Sequence, residues 1–318
     1  MQPLLQTIGL KKYFPTPHGM LHAVDDINIS INKGETLGVV GESGCGKSTL
    51  GRVILRLTDA TAGQVLFDGE DILKYSKSEV NKMYRKIQII FQDPYSSLNP
   101  RKNIGDIVRE PIVMNKILTS KKDVEDRVAQ LMETVGLSKQ MINMYPHELD
   151  GGRRQRVGVA RALSMEPQLI VCDEPVSALD VSIQAQILNL LMDLQDDMGL
   201  SYLFITHDLS VVKHISNNIA VLYLGQCVEM ASSDALFENP MHPYTKALLS
   251  AIPVPDVEAM RNHKPAIRGE VTNPIEPKPG CRFAPRCDHA TEACTGRNFE
   301  LIAQGENHTV ACRLFEEG

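Results

Sequence analysis

Residues 41–48 read GESGCGKS and fit the pattern G-x-x-x-x-G-K-[ST], directly after a short apolar run at 36–40. Glycines at this spacing let the backbone wrap a polyphosphate with successive N–H groups pointing inward, and the helix start that follows adds about half a positive charge. Lys47 is expected to bridge the outer phosphates, and Ser48 to ligate Mg²⁺. The residues expected to contact the nucleotide are Ser43, Gly44, Cys45, Gly46, Lys47, Ser48 and Thr49. The pattern predicts a site for magnesium-bound ATP, and the Lys-Ser pair disfavours the alternative of a merely glycine-rich turn.

A second group of polar residues follows apolar runs that read as buried strands. Residues 169–174 read LIVCDE, so that Asp173 and Glu174 end the run. Asp173 is placed to hold the Mg²⁺ shell, and Glu174 could polarise the attacking water as a general base. Gln92 and His207 each follow an apolar run as well. A lone Gln or His in that position is more often a loop residue or a cap, so neither is specific in isolation.

The elements that must position these residues can be read from hydrophobic periodicity. Continuous apolar runs at 36–40, 169–172 and 202–205 suit a parallel sheet covered on both faces, and alternation within 24–31 suits antiparallel strands. A helix is expected over 47–57. Helical spacing also recurs at Val124, Val128, Leu131, Met132 and Val135, and at Ile183, Ile187, Leu190, Leu191 and Leu194. The fold class predicted is α/β, with phosphate chemistry at a strand-to-helix turn.

Composition excludes several classes of protein. The 318 residues carry a net charge of −6, which argues against a dedicated nucleic-acid binder because phosphate contacts need clustered Lys and Arg. No stretch approaches the roughly 20 apolar residues that cross a bilayer. The first ten residues show no basic segment followed by an apolar run, so we expect no signal peptide. We therefore expect a cytoplasmic protein that reaches a membrane only through a partner.

The composition and periodicity of the chain change near residue 234. Nine of the 18 prolines lie between 240 and 285, where periodicity is weak, so we place a boundary there. Four cysteines crowd the end of the chain in the order Cys281, Cys287, Cys294 and Cys312. A reducing compartment disfavours disulfides, and four thiolates can hold Zn²⁺ or a [4Fe–4S] cluster. The alternative is that these four cysteines are free thiols that bind no metal.

Residues 149–163 read LDGGRRQRVGVARAL. In chain order this segment stands with the phosphate loop, Gln92, Asp173, Glu174, the SALD segment at 177–180 and His207. The combination resembles the nucleotide-binding subunits of ABC transporters over residues 4–233. The resemblance implies an ABC-type P-loop NTPase with a RecA-like core, an antiparallel β subdomain and an α-helical subdomain at about 95–165. We therefore expect a nucleotide-binding domain over 1–233 with ATPase activity, and a small cysteine-rich extension over 234–318.

The resemblance also implies roles for single residues. In the family two such domains pack head to tail, and each ATP lies between one phosphate loop and the other subunit's signature segment. Gln92 is implied to contact Mg²⁺ and to signal to the membrane subunit, and Asp180 to communicate across the dimer. The adenine is implied to stack on Phe14, with Tyr13 as the fallback. The resulting candidates are Lys47, Glu174 and His207 for catalysis, Ser48, Gln92 and Asp173 for Mg²⁺, and Asp150, Gly151, Gly152 and Arg153 for the partner's nucleotide.

The signature segment departs from the family pattern. The family reads L-S-G-G-Q, whereas this chain has Asp150 for the Ser and Arg153 for the Gln. An ionised carboxylate cannot donate to a γ-phosphate, and two unit charges about 4 Å apart repel by roughly 4 kcal/mol at an effective dielectric near 20. Arg153 could offset part of that, and Asp150 could simply cap the next helix as Ser would. We favour impaired catalysis at this composite site, and hence a heterodimer with an unlike ATPase.

Three longer segments narrow the resemblance. They read FQDPYSSLNP at 91–100, CDEPVSALDVS at 172–182 and NPMHPYTKAL at 239–248. These resemble the ATPases of oligopeptide and dipeptide importers, most closely the second, F-type subunit. That family implies two transmembrane permeases, an extracellular substrate-binding protein, a place on the cytoplasmic face of the cell membrane, and a [4Fe–4S] cluster in the tail in preference to zinc. The four cysteines would hold it.

Rival functions remain open. Nickel importers share this ATPase type, so the residues leave open whether peptides or another small solute are carried. Soluble ABC ATPases of DNA repair or translation carry a coiled-coil insertion or two cassettes, and this chain shows neither. An iron–sulfur sensor with a vestigial cassette is disfavoured by the intact Lys47, Asp173, Glu174 and His207.

Overall fold

Strands and helices alternate through most of the chain, and the computed structural model describes residues 2–252 and 274–316. The strands described are β1 (Leu5–Thr16), β2 (Gly19–Ile27), β3 (Ser30–Ile31), β4 (Thr36–Val40), β5 (Ala62–Phe67), β6 (Glu70–Asp71), β7 (Ile87–Ile90), β8 (Leu169–Asp173), β9 (Ser201–Ile205), β10 (Asn218–Tyr223), β11 (Gln226–Ser232), β12 (Ile302–Ala303) and β13 (His308–Val310).

The helices described are α1 (Lys47–Ile54), α2 (Lys77–Lys86), α3 (Pro94–Ser97), α4 (Ile104–Met114), α5 (Lys121–Thr134), α6 (Gly151–Leu163), α7 (Val181–Met198), α8 (Leu209–Ile215), α9 (Ser233–Glu238) and α10 (Pro243–Ser250). Short 3-10 helices lie at Ile72–Lys74, Lys139–Asn143, Pro146–Glu148, Ala284–Arg286, Glu292–Cys294 and Arg313–Phe315. Among these described helices, none is both long and apolar enough to cross a membrane.

The chain divides into two units. The first consists of Met1–Asn32, Thr36–Lys74 and Phe204–Gly318, and the second of Lys33–Glu35 and Tyr75–Leu203. The division passes through strand β9. The boundary predicted near residue 234 stays a prediction.

The first unit contains two arrays of strands. In one, β1 pairs antiparallel with β2, β3 and β5, and β6 extends this sheet beyond β5. In the other, the strand order is β12-β13-β11-β10-β4, with β4 parallel to β10 and the remaining pairs antiparallel. All five residues of β4 are buried, as the continuous apolar run predicts for a strand covered on both faces.

The second unit combines parallel strands with helices. Strand β8 pairs in parallel with β7, in a register that sets Ile90 opposite Cys172, and β9 follows β8 in the strand order. Helix α5 buries Val128, Leu131 and Met132 on one face, as their spacing predicts. Parallel strands and amphipathic helices thus alternate in this unit, as the predicted α/β class requires.

Two expectations need correction. The helix predicted over 47–57 ends at Ile54, because Arg56 adopts a left-handed backbone with φ of 54° that a helix cannot continue through. The segment after residue 234 is more regular than its prolines suggest, since it contains α9 and α10. Pro243 stands at the first position of α10, where its missing N–H costs no helical hydrogen bond.

A buried carboxylate joins α10 to the sheet of the first unit. Glu229 on β11 is fully buried and accepts hydrogen bonds from the backbone N–H groups of Met241 and His242, at 2.7 and 2.8 Å. It also lies 2.8 Å from Nε2 of His308 on β13. His242 in turn caps α10 by accepting the Tyr244 N–H at 3.0 Å, and burial lowers the pKa of His242 to about 3. A neutral imidazole therefore caps this helix across the physiological range.

Candidate functional site

The phosphate loop leaves strand β4 at Val40 and enters α1 at Lys47. Its first glycine, Gly41, has a φ of 152°, and a Cβ there would lie 2.1 Å from the carbonyl oxygen of Leu222. Gly46 has a φ of 105°, and a Cβ there would lie 1.9 Å from the carbonyl oxygen of Ala23. A side chain at either position would therefore collide with backbone, so the loop can pack this closely only with glycine.

Lys47 is 5% exposed, and its ammonium is held by the loop itself. Its Nζ donates to the carbonyl oxygens of Gly41 at 2.8 Å and Glu42 at 3.0 Å. The first turn of α1 carries no acidic residue, so its positive end is not neutralised locally. Burial raises the pKa of the neighbouring Cys45 thiol. The Lys47 ammonium and the start of α1 together place positive potential at the loop, as polyphosphate binding requires.

The rest of the loop is open enough to receive a ligand. Ser43 and Gly44 are exposed, and Ser48 and Thr49 are half-buried. Gly44 has a φ of 79° and nothing within 4 Å of a Cβ position. Residues 43–46 thus form the loop directly before α1, and residues 47–49 form the first turn of that helix; their contacts with a nucleotide stay a prediction.

The candidate acids stand at the end of β8. Asp173 is 6% exposed, and Glu174 follows it with a φ of 49°. Such a backbone is uncommon and costly for a residue other than glycine. Gln92 lies two residues beyond the Ile90 position of β7, and Glu174 two beyond the Cys172 position of β8, so the parallel register sets them side by side. The Nε2 of Gln92 donates to Oε2 of Glu174 at 2.9 Å.

Ser177 completes this group. Its Oγ lies 3.5 Å from Gln92 Nε2 and donates to the Glu174 carbonyl oxygen at 3.1 Å. Gln92, Glu174 and Ser177 therefore form one polar cluster within the second unit, while the phosphate loop and His207 belong to the first.

His207 is exposed and follows strand β9. The N–H of the preceding Thr206 donates to the Val39 carbonyl oxygen at 3.1 Å, which ties this turn to β4, the strand that leads into the phosphate loop. Asp208 caps α8 by accepting the Ser210 N–H at 2.8 Å. The turn that carries His207 is thus fixed on both sides.

The signature segment begins helix α6, and Asp150 is its N-cap. Asp150 Oδ1 accepts the Arg153 N–H at 2.8 Å, and Arg153 Nε lies 3.4 Å from Oδ2. A Cβ at Gly152 would lie 2.6 Å from the side chain of Ile183 on α7, which explains the glycine. The capping role weighed from the sequence is therefore present, although the Asp150 side chain stays 59% exposed at the helix start.

The two candidates for adenine stacking are neighbours on β1. Tyr13 stacks on His22 with ring centroids 3.8 Å apart, and its hydroxyl donates to Asp25. Phe14 is half-buried, with Lys12 Nζ 4.7 Å from its ring centroid. Tyr13 is thus already engaged within its own sheet, and the preference for Phe14 stays a prediction.

The four cysteines of the tail line one cavity of about 340 Å³, together with His242 and Phe283. Burial, with repulsion from neighbouring cysteines, raises the pKa of Cys281 to about 11. Within residues 2–252 and 274–316, no three His, Cys, Asp or Glu side chains stand close enough together to hold a metal ion. The four thiols therefore line one cavity, but they are not close enough together to ligate a metal ion in this conformation.

Sequence reasoning missed two contacts to the phosphate loop. The Glu42 N–H donates to the hydroxyl of Tyr244 at 2.8 Å, and the Glu42 carboxylate pairs with Arg286. The sequence offered only the location of these residues: Tyr244 falls in the NPMHPYTKAL segment, and Arg286 directly precedes Cys287.

Comparisons with protein families agree with this geometry. The model of the family described as ABC transporter matches residues 24–177. A second model, described as the C-terminal region of oligopeptide/dipeptide transporters, matches residues 228–294. The second match covers β11 from Val228 onwards, helices α9 and α10, and three of the four clustered cysteines.

Two solved structures share the fold. The chain aligns with cbiO1 from Clostridium perfringens, part of the transporter complex cbiONQ, with a TM-score of 0.67 and 27% identity over 75% of this chain and 92% of that one. It also aligns with a dimeric ATP-binding cassette in a post-hydrolysis state bound to ADP and Pi, with a TM-score of 0.66 and 28% identity over 72% of this chain and 98% of that one.

Curated relatives match along nearly the full chain. The dipeptide transport ATP-binding protein DppF of Haemophilus influenzae is 47% identical over 98% of this chain and 96% of its own length. The oligopeptide transport ATP-binding protein OppF of Bacillus subtilis is 53% identical over 88% of this chain and 95% of its own length. The chain therefore belongs to the ABC transporter family, among the ATP-binding proteins of the dipeptide and oligopeptide transport type.

Proposed function

We propose that this chain is the ATP-hydrolysing motor subunit of an importer that carries dipeptides or oligopeptides across the cytoplasmic membrane. The observation that carries the proposal is a phosphate loop with an inward-held Lys47, in a chain whose Glu174 stands hydrogen-bonded to Gln92. The match of residues 228–294 to a peptide-transporter region supports the choice of cargo class.

Binding of ATP depends on the loop at 41–49. Its backbone N–H groups and the start of α1 receive the phosphates, and Lys47 turns from the two loop carbonyls toward the β- and γ-phosphates. Ser48, Asp173 and Gln92 offer a hydroxyl, a carboxylate and an amide oxygen, the oxygen ligands that Mg²⁺ prefers. Mg²⁺ held by these residues would neutralise phosphate charge. His207 orients the γ-phosphate, and Phe14, with Tyr13 as the alternative, stacks on the adenine.

Hydrolysis depends on Glu174. Its carboxylate accepts a hydrogen bond from Gln92 and can accept a proton from the attacking water. The strained backbone at Glu174 fixes the carboxylate at the strand end and keeps it directly beside Asp173. Gln92 would hold Mg²⁺ through its amide oxygen, while its Nε2 donates to Glu174. A shift of the loop that bears Gln92 would therefore change both the metal site and the position of the base, and could switch hydrolysis on and off.

The Glu174→Gln variant tests the assignment of the base. We expect ATP hydrolysis by the assembled transporter to fall at least 100-fold, because a general base contributes typically 10²–10⁴-fold, while ATP binding persists. Phosphate release and nucleotide binding are the measurements. The control is Glu133→Gln, which removes an exposed carboxylate on α5 and should leave both unchanged. Near-normal hydrolysis by Glu174→Gln would contradict the role.

The companion in the dimer is proposed to be an unlike ATPase with an intact signature. Asp150 keeps an exposed carboxylate where the family places a hydroxyl donor for the γ-phosphate. The cap it makes preserves α6, so the defect concerns charge and hydrogen bonding rather than folding. The composite site that uses this signature is the weaker one, and the chain's own phosphate loop acts with the partner's signature. The ADP-bound relative is itself described as dimeric.

Substitutions at Asp150 test this asymmetry. Solvent and Arg153 screen most of the repulsion, so we expect a residual of about 1 kcal/mol, and Asp150→Ser should raise turnover at this composite site roughly fivefold. Asp150→Asn keeps a cap without the charge and should recover only part of that gain. Turnover is measured on the purified chain and on the assembled complex. Full, cooperative hydrolysis by the purified chain alone, unchanged by Asp150→Ser, would contradict the heterodimer.

The cysteine cavity is proposed to hold a [4Fe–4S] cluster, with Zn²⁺ as the alternative. Four thiols converge on one cavity, and sulfur donors satisfy either group. The thiols must draw closer and lose their protons to ligate it, since burial keeps the pKa of Cys281 near 11. When bound, the cluster supplies a covalent cross-link to a proline-rich segment that has little core of its own.

Purification under anaerobic conditions tests the cluster. We expect a brown protein with absorbance near 400 nm and about four irons per chain, lost in Cys287→Ser. The control is Cys227→Ala, which removes a buried thiol outside the cavity and should keep the colour. Stoichiometric zinc without iron would rule the cluster out in favour of zinc.

The remaining partners follow from the proposed function. The chain is proposed to act at the cytoplasmic face of the cell membrane as a peripheral subunit of two transmembrane permeases, with an extracellular substrate-binding protein delivering the cargo. Cargo choice resides in those subunits, whereas this chain contributes the power stroke, closing on ATP and reopening after hydrolysis.

A further inference from the structure

A buried arginine of the C-terminal region reaches into the phosphate loop. Arg286 Nη1 donates to Glu42 Oε2 at 2.8 Å, and Nη2 donates to Oε1 at 3.1 Å. The Arg286 side chain is 6% exposed and that of Glu42 is 22% exposed. Both residues belong to the first unit. The pair is bidentate and largely screened from solvent, which makes it stronger than an ordinary surface ion pair.

Neighbouring groups fix the position of Arg286. Its Nη1 also donates to the Tyr223 hydroxyl at 3.2 Å, and its guanidinium lies 5.9 Å from the centre of the Tyr223 ring. Phe283, three residues earlier, packs edge-on against the same ring at 5.3 Å. Tyr223 and Phe283 therefore fix the position of the guanidinium, whose two terminal nitrogens donate to the Glu42 carboxylate.

Glu42 presents an electrostatic problem for an ATP-binding loop. It is the second residue of the loop, and its carbonyl oxygen accepts a hydrogen bond from Lys47. A carboxylate in this loop would repel a polyphosphate, which carries several negative charges. It would also compete with the phosphates for the Lys47 ammonium, only five residues along the chain. Pairing with Arg286 cancels that charge and fixes the carboxylate in one geometry.

We propose that Arg286 is a positioning residue for ATP binding, which neutralises and anchors Glu42 so that the C-terminal region completes the phosphate loop. The proposal rests on the proposed function, in which residues 41–49 bind Mg-ATP. Tyr244 supports the same loop residue from the same region by accepting the Glu42 N–H. Arg286 itself touches no substrate, because it acts through Glu42.

The alternative is that Arg286 only fastens the C-terminal region to the rest of the first unit. A second arginine already does this, since Arg282 is buried and pairs with Asp25 while donating to the Leu224 carbonyl oxygen. A fastening role predicts lost stability without a specific electrostatic effect on ATP. Neutralising the carboxylate in the same chain separates the two roles.

The experiment measures the Kd for Mg-ATP by titration calorimetry on the full chain. Arg286→Gln should raise the Kd about tenfold, because it leaves the Glu42 carboxylate unpaired beside the phosphates. The double variant Glu42→Gln with Arg286→Gln should return the Kd to within about threefold of wild type, since no unpaired charge remains. Arg297→Gln is the matched control, because it removes an exposed arginine of the same region and should leave the Kd unchanged.

Each outcome decides between the two roles. Equal Kd values for Arg286→Gln and Arg297→Gln would overturn the proposal, and so would a weakened Kd that Glu42→Gln fails to rescue. If Arg286→Gln does not fold, Arg286→Lys carries the same test with and without Glu42→Gln, since lysine keeps the charge but loses the bidentate fork. Lys47→Ala separates the proposed function from the inference. If wild type and Lys47→Ala bind Mg-ATP equally, the loop's role is refuted and the inference fails with it. If Lys47→Ala abolishes binding while Arg286→Gln binds Mg-ATP as tightly as wild type, only the inference is overturned.

Discussion

The structure depends on one constraint, that a polyanion must be held by backbone N–H groups and a single ammonium in the eight-residue loop 41–48. The loop can do this only if its backbone passes very close to neighbouring strands, which is why Gly41 and Gly46 face the carbonyl oxygens of Leu222 and Ala23. The loop directly follows strand β4, all of whose residues are buried, so its first residue is fixed in position. Strands β2 and β10, which carry Ala23 and Leu222, thus flank the loop.

The C-terminal region belongs to this support. Its helix α10 is anchored through the fully buried Glu229, and its Tyr244 and Arg286 then contact the second residue of the loop. The C-terminal region therefore contacts the phosphate loop directly through these two side chains. A cluster bound by Cys287 would sit one residue from Arg286, so the chemistry of the cysteines and that of the loop are joined by the backbone itself.

The chemistry of the site was predictable wherever it follows from local pattern. The glycine spacing of the loop, the acids that end β8 and the cap at Asp150 each depend on residues within a few positions of one another. The contact between Gln92 and Glu174 required one further fact, the parallel register of β7 and β8. The early end of α1 was not foreseen, because the left-handed backbone at Arg56 leaves no mark in hydrophobic periodicity.

Long-range pairs lay beyond sequence reasoning. Glu42 and Arg286 are 244 residues apart, and neither belongs to the pattern that identifies the loop. From the sequence, an isolated Glu or Arg is expected to be a solvated surface charge. Only the folded chain shows that Glu42 and Arg286 are both largely shielded from water. The same holds for Tyr244, because nothing in the NPMHPYTKAL segment indicates that its hydroxyl contacts Glu42.

The most direct test of the central claim is peptide uptake by vesicles that contain the chain with its own permease and companion ATPase subunits. ATP is enclosed in the lumen on the side of this chain, and the peptide-loaded binding protein is added outside. The account predicts accumulation of a labelled peptide that requires enclosed ATP and is matched by phosphate release in the lumen. Phosphate release that ignores the loaded binding protein, with no peptide accumulated, would contradict it.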